Sequence, residues 1–354
     1  MDDVIRQLSE TVREASAAGR GLRIHGGGTK DFYGGALRGD ALDVSGYRGL
    51  IDYEPTELVL SARAGTPLAD IEALLQSRGQ MLPFEPPYFG PAATLGGCIA
   101  AGLAGPRRPY GGAVRDLVLG VRLLDGAGND LNFGGRVMKN VAGFDVSRAV
   151  SGSLGTLGVI LEASVKVVPM PPTETTLRLE ISEQDALDAM NRWAGKPLPI
   201  TATAHFDGAL HVRLSGAAPA VESACAHVGG ERLGEDEART FWHALREQTL
   251  PYFGGDVPLW RLSVASTAPS LDLAGPALIE WGGALRWLRT TASPASVREA
   301  AARAHGHATL FRHGDKTGGV FHPLPPAMLA LQRRLKQAFD PAGILNPGRL
   351  YPDF

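Results

Sequence analysis

Three glycine-rich segments are the parts of this 354-residue sequence whose backbone could bind a charged ligand. The first, HGGGTK at residues 25–30, follows a strand-like run. Successive glycines let neighbouring N–H groups converge on an anion, Thr29 adds a hydroxyl donor, and Lys30 adds a positive charge. The segment matches neither the P-loop pattern nor the G-x-G-x-x-G dinucleotide fingerprint. Taken alone, it is interpreted more simply as a tight turn, with phosphate binding as the alternative.

Two further glycine-rich segments favour phosphate binding over a simple turn. Residues 94–102, TLGGCIAAG, put two glycines at the start of a small-residue helix, where the first N–H groups are expected to be free. Residues 151–160, SGSLGTLGVI, space glycines three apart before a strand, so that a flat ring could lie against the backbone. Each segment alone could be tight packing between elements. Three of them within 170 residues favour a bound dinucleotide.

Composition narrows the class of protein. The 35 Lys and Arg residues nearly balance 37 Asp and Glu residues, which argues against a nucleic-acid or anionic-membrane surface as the main partner. The two cysteines, Cys98 and Cys225, cannot form a disulfide scaffold or ligate a zinc or iron–sulfur site. The amino terminus lacks a signal-peptide pattern, and the longest uncharged stretch, residues 86–106, carries five glycines and four prolines. We expect a cytoplasmic chain with no membrane span of its own; association with a membrane through a partner is left open.

Periodicity predicts the elements that would hold these loops. In the first half we expect helices over 4–18 and from Pro67 to Gly79, strands at 22–24, 41–44, 58–64 and 157–168, and a hairpin of 114–124 with 131–133 around the turn 125–129. Residues 169–172, PMPP, are proline-rich, and we interpret them as a linker. In the second half we expect strands at 176–181, 200–206, 210–214, 260–265 and 284–290, and helices at 183–193, 218–228, 235–248, 296–304 and 326–339. This alternation is typical of an antiparallel sheet with helices on one face.

The order of these motifs resembles a known family. The matching segments are GGGT at 26–29, ARAGTPL at 62–68, TLGG at 94–97, YG at 110–111 with RDLVLG at 115–120, and GSLGTLGVI at 152–160. Together they resemble the FAD-binding domain of the vanillyl-alcohol-oxidase, or PCMH, type. Residues 137–145, VMKNVAGFD, and 338–349, AFDPAGILNPGR, resemble the 2-hydroxy-acid dehydrogenase branch, and within it the smaller FAD-binding subunits of bacterial glycolate oxidases. The similarity covers residues 1–170 and 335–350 well and the middle weakly.

The resemblance implies an α+β fold in three parts. Residues 1–170 would form a PCMH-type FAD-binding domain of two α+β subdomains, with FAD extended between them. Residues 171–325 would form a shortened antiparallel-sheet, ferredoxin-like cap or substrate domain. Residues 326–354 would form a helix and tail that return to the FAD domain.

The resemblance also assigns cofactor-binding residues. They are Gly26, Gly27, Gly28, Thr29, Lys30, Gly65, Thr94, Leu95, Gly96, Gly97, Arg115, Asp116, Gly152, Gly155, Thr156, Gly158, Val159, Ile160 and Asn346. Some relatives attach the flavin through a histidine in the first loop. Here no histidine follows the glycines, so we expect non-covalent FAD, with His25 as a strand-end residue and Cys98 as a small helix residue.

The residues expected to catalyse the reaction are sparser. Oxidising an alcohol carbon beside a carboxylate needs a cation for the carboxylate and a base for the hydroxyl proton. Relatives hold a metal around H-x-G-D-G-N-x-H, whereas residues 311–322, FRHGDKTGGVFH, keep His-Gly-Asp but place the next histidine seven residues after Asp315. The glutamate that often precedes G-T-L-G in relatives is Leu154 here. We therefore expect no metal site, and two interpretations of 311–322 stay open. In one, Arg312 and His313 are catalytic residues of a degenerate pocket; in the other, the segment packs the cap on the flavin domain, with Arg312 and Lys316 facing solvent or the FAD phosphates.

Three hypotheses about function follow from these departures from the relatives' catalytic motifs. In the first, the chain is the FAD-binding subunit of a multi-subunit oxidoreductase that converts glycolate, or a similar small 2-hydroxy acid, to the 2-oxo acid. Its partners would be a larger flavin subunit and an iron–sulfur subunit, because two cysteines cannot hold a cluster. In the second, the chain is a self-contained FAD-dependent 2-hydroxy-acid dehydrogenase or oxidase with its substrate at Arg312 and His313. The third is a non-redox scaffold with an empty nucleotide fold.

Overall fold

The computed structural model of the protein describes residues 3–135, 145–352 and 354. Its helices are α1 (Asp3–Ala17), α2 (Leu68–Gln76), α3 (Leu95–Ala101), α4 (Arg108–Gly111), α5 (Val114–Leu117), α6 (Val146–Val150), α7 (Glu183–Ala194), α8 (Ala218–Val228), α9 (Glu235–Glu247), α10 (Pro294–Arg303) and α11 (Pro326–Phe339). Its strands are β1 (Leu22–His25), β2 (Asp40–Asp43), β3 (Leu50–Glu54), β4 (Val59–Arg63), β5 (Gln80–Met81), β6 (Val118–Leu124), β7 (Asp130–Gly134), β8 (Val159–Lys166), β9 (Val168–Pro169), β10 (Thr173–Glu180), β11 (Ile200–Phe206), β12 (Ala209–Gly216), β13 (Glu231–Arg232), β14 (Leu259–Ser263), β15 (Ala277–Glu280), β16 (Leu285–Arg289) and β17 (His307–Arg312). Apart from Asp145, the motif at 137–145 lies outside the described residues.

The first half is built around a five-stranded antiparallel sheet in the order β3-β4-β8-β6-β7. Helices α2 and α3 bury Leu68, Ile71 and Ile99 in one hydrophobic cluster with this sheet. Helix α1 packs in a second cluster, which includes strands β1 and β2 and residues Ile344 and Leu345 of the carboxyl-terminal tail. Strands β1 and β2 pair in parallel, and Leu345 forms a bridge beside Leu22.

The second half is an eight-stranded antiparallel sheet in the order β13-β10-β12-β11-β15-β16-β14-β17. It consists of two ferredoxin-like units that meet where β11 pairs with β15. The first unit, β10-α7-β11-β12-α8-β13, has its strands in the spatial order fourth, first, third, second. The second unit, β14-β15-β16-α10-β17, has the mirrored order and no α-helix between its first two strands. The predicted α+β class and ferredoxin-like sheet are confirmed.

The two faces of this sheet have different neighbours. Helices α7, α8 and α10 cover one face in two hydrophobic clusters. The other face, which we call the inner face, packs against the first half, where Trp287 and Phe311 join Tyr33 and Leu103 in one cluster. Helix α9 adds Trp242 to this inner cluster, so the prediction of helices on one face is wrong for α9.

Most predicted elements are confirmed, including the 125–129 hairpin and the helix at 326–339, but one segment was misassigned. Residues 114–117 form a helical turn and not a strand, because the Asp116 carboxylate accepts the N–H of Ala113 and closes that turn. Strands β3, β15 and β17 were missed. In β3, Leu50 and Ile51 are exposed at a sheet edge, so the strand lacks the apolar alternation on which such predictions rest. Within the described residues, no helix has the length and apolar character needed to cross a bilayer.

Candidate functional site

The three glycine segments converge on one cleft in the first half of the protein. The cleft brings together these predicted residues: Gly26, Gly27, Gly28, Thr29, Lys30, Thr94, Gly96, Gly97, Gly155, Gly158, Ile160 and Asn346. They come from the loop after β1, the start of α3, the segment that enters β8, and the carboxyl-terminal tail.

The first loop presents unused backbone donors. The N–H groups of residues 26–30 have no hydrogen-bond acceptor among the described residues. The loop keeps this course because its glycines have no side chain: a Cβ on Gly27 would lie 1.5 Å from the carbonyl oxygen of Ala92. Gly28 has a φ of +67°, which L-residues adopt at a cost. A run of free N–H groups in a concave loop is an anion-binding arrangement.

The second segment differs from its prediction. The N–H groups of Leu95 and Gly96 donate to Thr66 and Ala64 at 3.0 and 2.8 Å, and the N–H of Gly97 donates to Thr94 Oγ1 at 3.2 Å. The expectation of free N–H groups at this helix start is therefore wrong. What Gly97 contributes is space. A Cβ there would meet only Thr94 Oγ1, at 3.2 Å, and Gly97 is exposed at the cleft.

The third segment is held by the tail. Asn346 Oδ1 accepts the N–H of Ile24 at 2.7 Å, and its Nδ2 donates to the carbonyl of Leu154 at 2.6 Å. A Cβ on Gly155 would lie 2.8 Å from that Nδ2, and Gly155 has a φ of +73°. Asn346 therefore joins β1 to this segment, and its side-chain amide is already hydrogen-bonded within the protein.

Sequence reasoning missed the residues that anchor the tail. Lys336 and Asp340 form a buried ion pair at 2.6 Å. Lys336 Nζ also donates to the carbonyls of Thr156 and Leu345, at 2.8 and 2.9 Å, and the Asp340 carboxylate accepts the N–H of Leu345 at 2.7 Å. Burial lowers the pKa of Lys336. The i, i+4 spacing on a helix was the available signal, but surface pairs share that spacing.

Arg349 was missed as well. Its guanidinium donates to the carbonyls of Asp31, Tyr33 and Gly35, and thereby holds the chain that leaves the first glycine loop. Only 5% of Arg349 is exposed, and burial lowers its pKa.

Seven predicted cofactor residues do not line the cleft: Gly65, Leu95, Arg115, Asp116, Gly152, Thr156 and Val159. Leu95, Thr156 and Val159 are buried inside the protein. The N–H of Gly65 donates to Tyr47 at 2.9 Å, and that of Gly152 donates to Ile99 at 2.9 Å, so both glycines serve close backbone packing. Arg115 and Asp116 are exposed on the helical turn α5.

The predicted catalytic pair lies in an adjoining pocket beside the first loop, which we call the Arg312 pocket. It is lined by Thr29, Phe32, Phe89, Arg312, His313 and Lys316. The Arg312 guanidinium lies 4.3 Å from the Phe32 ring centre and 4.9 Å from that of Phe89. Its Nε is buried without a partner in the described chain, and burial lowers its pKa. His313 is exposed, with a φ of +59°.

Lys316 supports the packing interpretation of this segment. Its Nζ donates to the carbonyls of Phe32 and Gly34, so it faces neither solvent alone nor the glycine loop. The cleft-lining Lys30 also turns inward: its Nζ donates to the carbonyl of Tyr88 at 3.2 Å, and burial lowers its pKa. Across the described ranges, no group of three or more His, Cys, Asp or Glu side chains could hold a metal ion.

Comparisons with known proteins place the sequence in a family. Residues 4–134 match a family model described as an FAD binding domain, and residues 321–350 match the C-terminal domain of FAD linked oxidases. The chain is 49% identical to the glycolate oxidase subunit GlcE of Escherichia coli (strain K12) over 351 residues, which is 99% of this chain and 98% of that protein.

Shorter matches extend to other oxidoreductases. The glycolate oxidase subunit GlcD of Bacillus subtilis (strain 168) is 34% identical over 36% of this chain and 27% of GlcD. A D-2-hydroxyglutarate dehydrogenase of Xanthomonas citri is 28% identical over 66% of this chain and 51% of that enzyme. Among solved structures, an alkyldihydroxyacetonephosphate synthase superposes with a TM-score of 0.67 at 14% identity, over 97% of this chain and 75% of the synthase. That likeness concerns the fold alone.

Proposed function

The chain belongs to the PCMH-type family of FAD-linked oxidases, and we propose that it is the FAD-binding subunit of a multi-subunit enzyme that oxidises glycolate or a similar small 2-hydroxy acid to the 2-oxo acid. The support is the similarity to GlcE over nearly the whole of both chains. Relatives with shorter matches are named as enzymes of glycolate, lactate and hydroxyglutarate.

The observation that carries the proposal is the run of unused N–H groups at residues 26–30 inside the glycine-lined cleft. These groups would hold the pyrophosphate of FAD. Gly97 leaves room for it, and Gly155, Gly158 and Ile160 would lie along the nucleotide and the flavin. When bound, FAD supplies the acceptor for the substrate hydride. The residues present fit the group, because the unused N–H groups of residues 26–30 and the open space at Gly97 lie on the same cleft.

The proposed binding is non-covalent. Among the described residues that line the cleft there is neither a histidine nor a cysteine. His25 packs against the loop, with its Cε1 2.9 Å from the position that a Cβ of Gly28 would take. Cys98 is buried in α3. The proposed division of the chain is that of the family: the FAD-binding domain at 1–170, the cap domain at 171–325, and the returning helix and tail at 326–354.

The proposed partners are a larger flavin subunit and an iron–sulfur subunit of a glycolate oxidase complex. Cys98 and Cys225 are both buried, and they lie in different halves of the protein, so this chain has no cysteine set for a cluster. In this proposal, electrons from the flavin leave through a partner subunit. Placement in the cytoplasm, with any membrane contact made by partners, belongs to the same proposal.

The alternative is a self-contained dehydrogenase with its substrate at Arg312 and His313. The observation in its favour is that the Arg312 pocket shares Thr29 with the cleft. The test is to purify the chain alone and with its partner subunits, and to record flavin absorbance and glycolate-dependent reduction of a dye. We expect FAD on the chain alone and steady-state turnover only in the complex. Turnover by the chain alone would favour the alternative, and a chain without flavin would contradict both.

A further inference from the structure

The Arg312 pocket is an open cavity of about 320 Å³ between the first loop and the end of β17. That volume lies within the range of small-molecule sites, ~300–1,000 Å³. The pocket shares Thr29 with the glycine-lined cleft. Both cavities also rest on one hydrophobic cluster, since Leu154 of the cleft and Phe311, the residue before Arg312, belong to it. A ligand in this pocket would therefore lie beside a molecule bound in the cleft.

The charged wall of this pocket is basic. Its ionisable side chains are those of Arg312, His313 and Lys316, and none of the described residues that line it is acidic. The nearest acid along the chain, Asp315, is exposed, and its carboxylate accepts the N–H and the hydroxyl group of Thr317 at 2.9 and 2.7 Å. The described wall of the pocket thus carries positive charge without a carboxylate that would neutralise it.

Arg312 differs from the other cations around the first loop because it has no acceptor. Lys316 donates to the carbonyls of Phe32 and Gly34, and Arg349 donates to three carbonyls of the same segment. Within the described chain, Arg312 makes no hydrogen bond and has no carboxylate within 4.0 Å, and its buried Nε lacks a partner. Burial lowers its pKa without a nearby carboxylate to oppose the effect. A bound anion would offset the desolvation cost of this half-buried guanidinium.

Aromatic rings hold the Arg312 guanidinium in place. Its central carbon lies 4.3 Å from the ring centre of Phe32 and 4.9 Å from that of Phe89. These two rings pack edge to face, with their centres 5.4 Å apart. Glu247 of α9 fixes the backbone at Phe89, because its carboxylate accepts the N–H of that residue at 2.8 Å. Stacking on rings orients a guanidinium and leaves its N–H donors available to a ligand.

The chemistry of the pocket suits a small carboxylate. A guanidinium presents paired N–H groups that match the two oxygens of a carboxylate. A phosphate would match the same donors, but the phosphates of FAD already have the unused N–H groups of residues 26–30 in the proposed site. The rings of Phe32 and Phe89 add apolar surface for the carbon atoms of a ligand. Charge and apolar surface together favour a small organic acid.

We propose that the Arg312 pocket binds the carboxylate of a small 2-hydroxy acid beside the FAD cleft, with Arg312 as its anchor. The inference rests on the proposed function, because it names where that substrate class would bind. It differs from the self-contained alternative, because it assigns no catalytic step to the exposed His313 and requires no turnover by the chain alone. The segment 311–322 then has two roles: Lys316 packs on the first half, and Arg312 holds a ligand.

The test is calorimetric titration of the FAD-loaded full chain with oxalate, a two-carbon carboxylate that has no C–H bond for a flavin to oxidise. Bound flavin is measured separately by absorbance. Arg312→Gln should weaken oxalate binding by ~10-fold or more, because it removes charge-assisted hydrogen bonds. Arg312→Lys should bind with intermediate affinity, because an ammonium group keeps the charge and lacks the paired donors. Arg303→Gln, at an exposed arginine of α10, is the matched control and should bind like the original protein.

A second probe requires no variant. Acetate and acetamide have nearly the same shape, and only acetate is charged, so acetate should displace oxalate at a concentration at least ~10-fold lower. Equal displacement by the two compounds, or unchanged oxalate binding in a folded Arg312→Gln protein, would overturn the proposal.

The remaining outcomes separate this proposal from the proposed function. An Arg312→Gln chain that loses FAD, and binds oxalate normally once FAD is resupplied in excess, would assign Arg312 to the FAD phosphates and overturn the carboxylate site. A chain that carries FAD but binds no oxalate would also overturn it while leaving the proposed function standing. A chain without FAD would contradict the proposed function itself.

Discussion

Arg213 on β12 of the eight-stranded sheet donates to both carboxylate oxygens of Glu85, at 2.8 and 3.0 Å, across the junction of the two halves. Arg107 joins the pair from the first half, with its Nε 3.3 Å from Glu85 and its Nη2 2.8 Å from Glu174. Burial raises the pKa of Glu85, but Arg213 and Arg107 outweigh it and hold the pKa below its usual range. The junction is therefore fixed by charge as well as by the inner hydrophobic cluster.

Glu85→Gln should destabilise the protein by about 3–5 kcal/mol, because it leaves the buried Arg213 guanidinium without its nearest counter-charge and leaves Arg107 paired with Glu174 alone. The exposed pair Arg232 and Glu222 offers the matched control, and Glu222→Gln should change little. Urea unfolding monitored by tryptophan fluorescence measures both. Equal effects of the two substitutions would show that the buried cluster adds nothing beyond an exposed pair.

Gly97→Val should abolish FAD binding while the chain still folds. The added Cβ meets only Thr94 Oγ1 inside the protein, so the rest of the side chain enters the cleft. Gly27→Val is less informative, because its Cβ would collide with the backbone at Ala92 and distort the loop itself. Gly195→Ala, at an exposed helix end with open space around it, is the control. Flavin absorbance per chain decides, and a normal flavin content in Gly97→Val would refute the placement.

Acid or heat denaturation should release the flavin completely from the polypeptide. The reason is that neither histidine nor cysteine lines the described part of the cleft. The measurement is flavin absorbance in the supernatant and pellet after precipitation. Flavin that stays with the washed, denatured chain would contradict non-covalent binding.

His313→Ala should leave flavin content intact and change glycolate turnover of the reconstituted complex only modestly. His313 is exposed at the edge of the Arg312 pocket, where water competes for its contacts. A general base contributes ~10²–10⁴-fold, so its loss would be plain in kcat. His322→Ala removes a second histidine of the same segment. It should likewise leave flavin content intact and change glycolate turnover only modestly. A fall of two orders of magnitude in His313→Ala, with flavin retained, would favour the self-contained dehydrogenase.

We expect the titration of Glu280 to lower the protein's free energy of unfolding as pH rises. Burial raises its pKa from 4.5 to about 7, against the opposing effects of the Trp287 hydrogen bond and the positive charge of Arg261; Glu85 adds to the rise. Between these two pH values the folded protein holds a proton that the unfolded chain has lost, so each step upward in pH favours unfolding. The contribution over that window is about 3 kcal/mol. The side chain in Glu280→Gln cannot titrate. The free energy of unfolding of the original protein, minus that of Glu280→Gln, should therefore decrease from pH 4.5 to 7, as measured by urea unfolding. A constant difference would contradict the shifted pKa.

Local features of the chain could be predicted because their causes are local. The apolar spacing of α1 and the turn residues at 125–129 act within a few positions, and the structure has both elements as expected. Strands β15 and β17 were not predicted, because what stabilises them is pairing and packing with residues far away in sequence. Position 261 shows the same limit. An arginine between Trp260 and Leu262 fits an alternating strand, but nothing nearby reveals which face is buried.

The sequence by itself determined which segments could wrap a nucleotide, since a glycine removes the Cβ wherever it stands, and it determined the family through their order. Only the tertiary structure decided what each segment does. The N–H groups of Gly96 and Gly97 are taken by Ala64 and Thr94, whereas those of residues 26–30 stay available, and Asn346 serves as a clamp on Leu154. The physical reason is that a donor's availability, a charge's counter-ion and a glycine's empty space are properties of the neighbours that folding brings together.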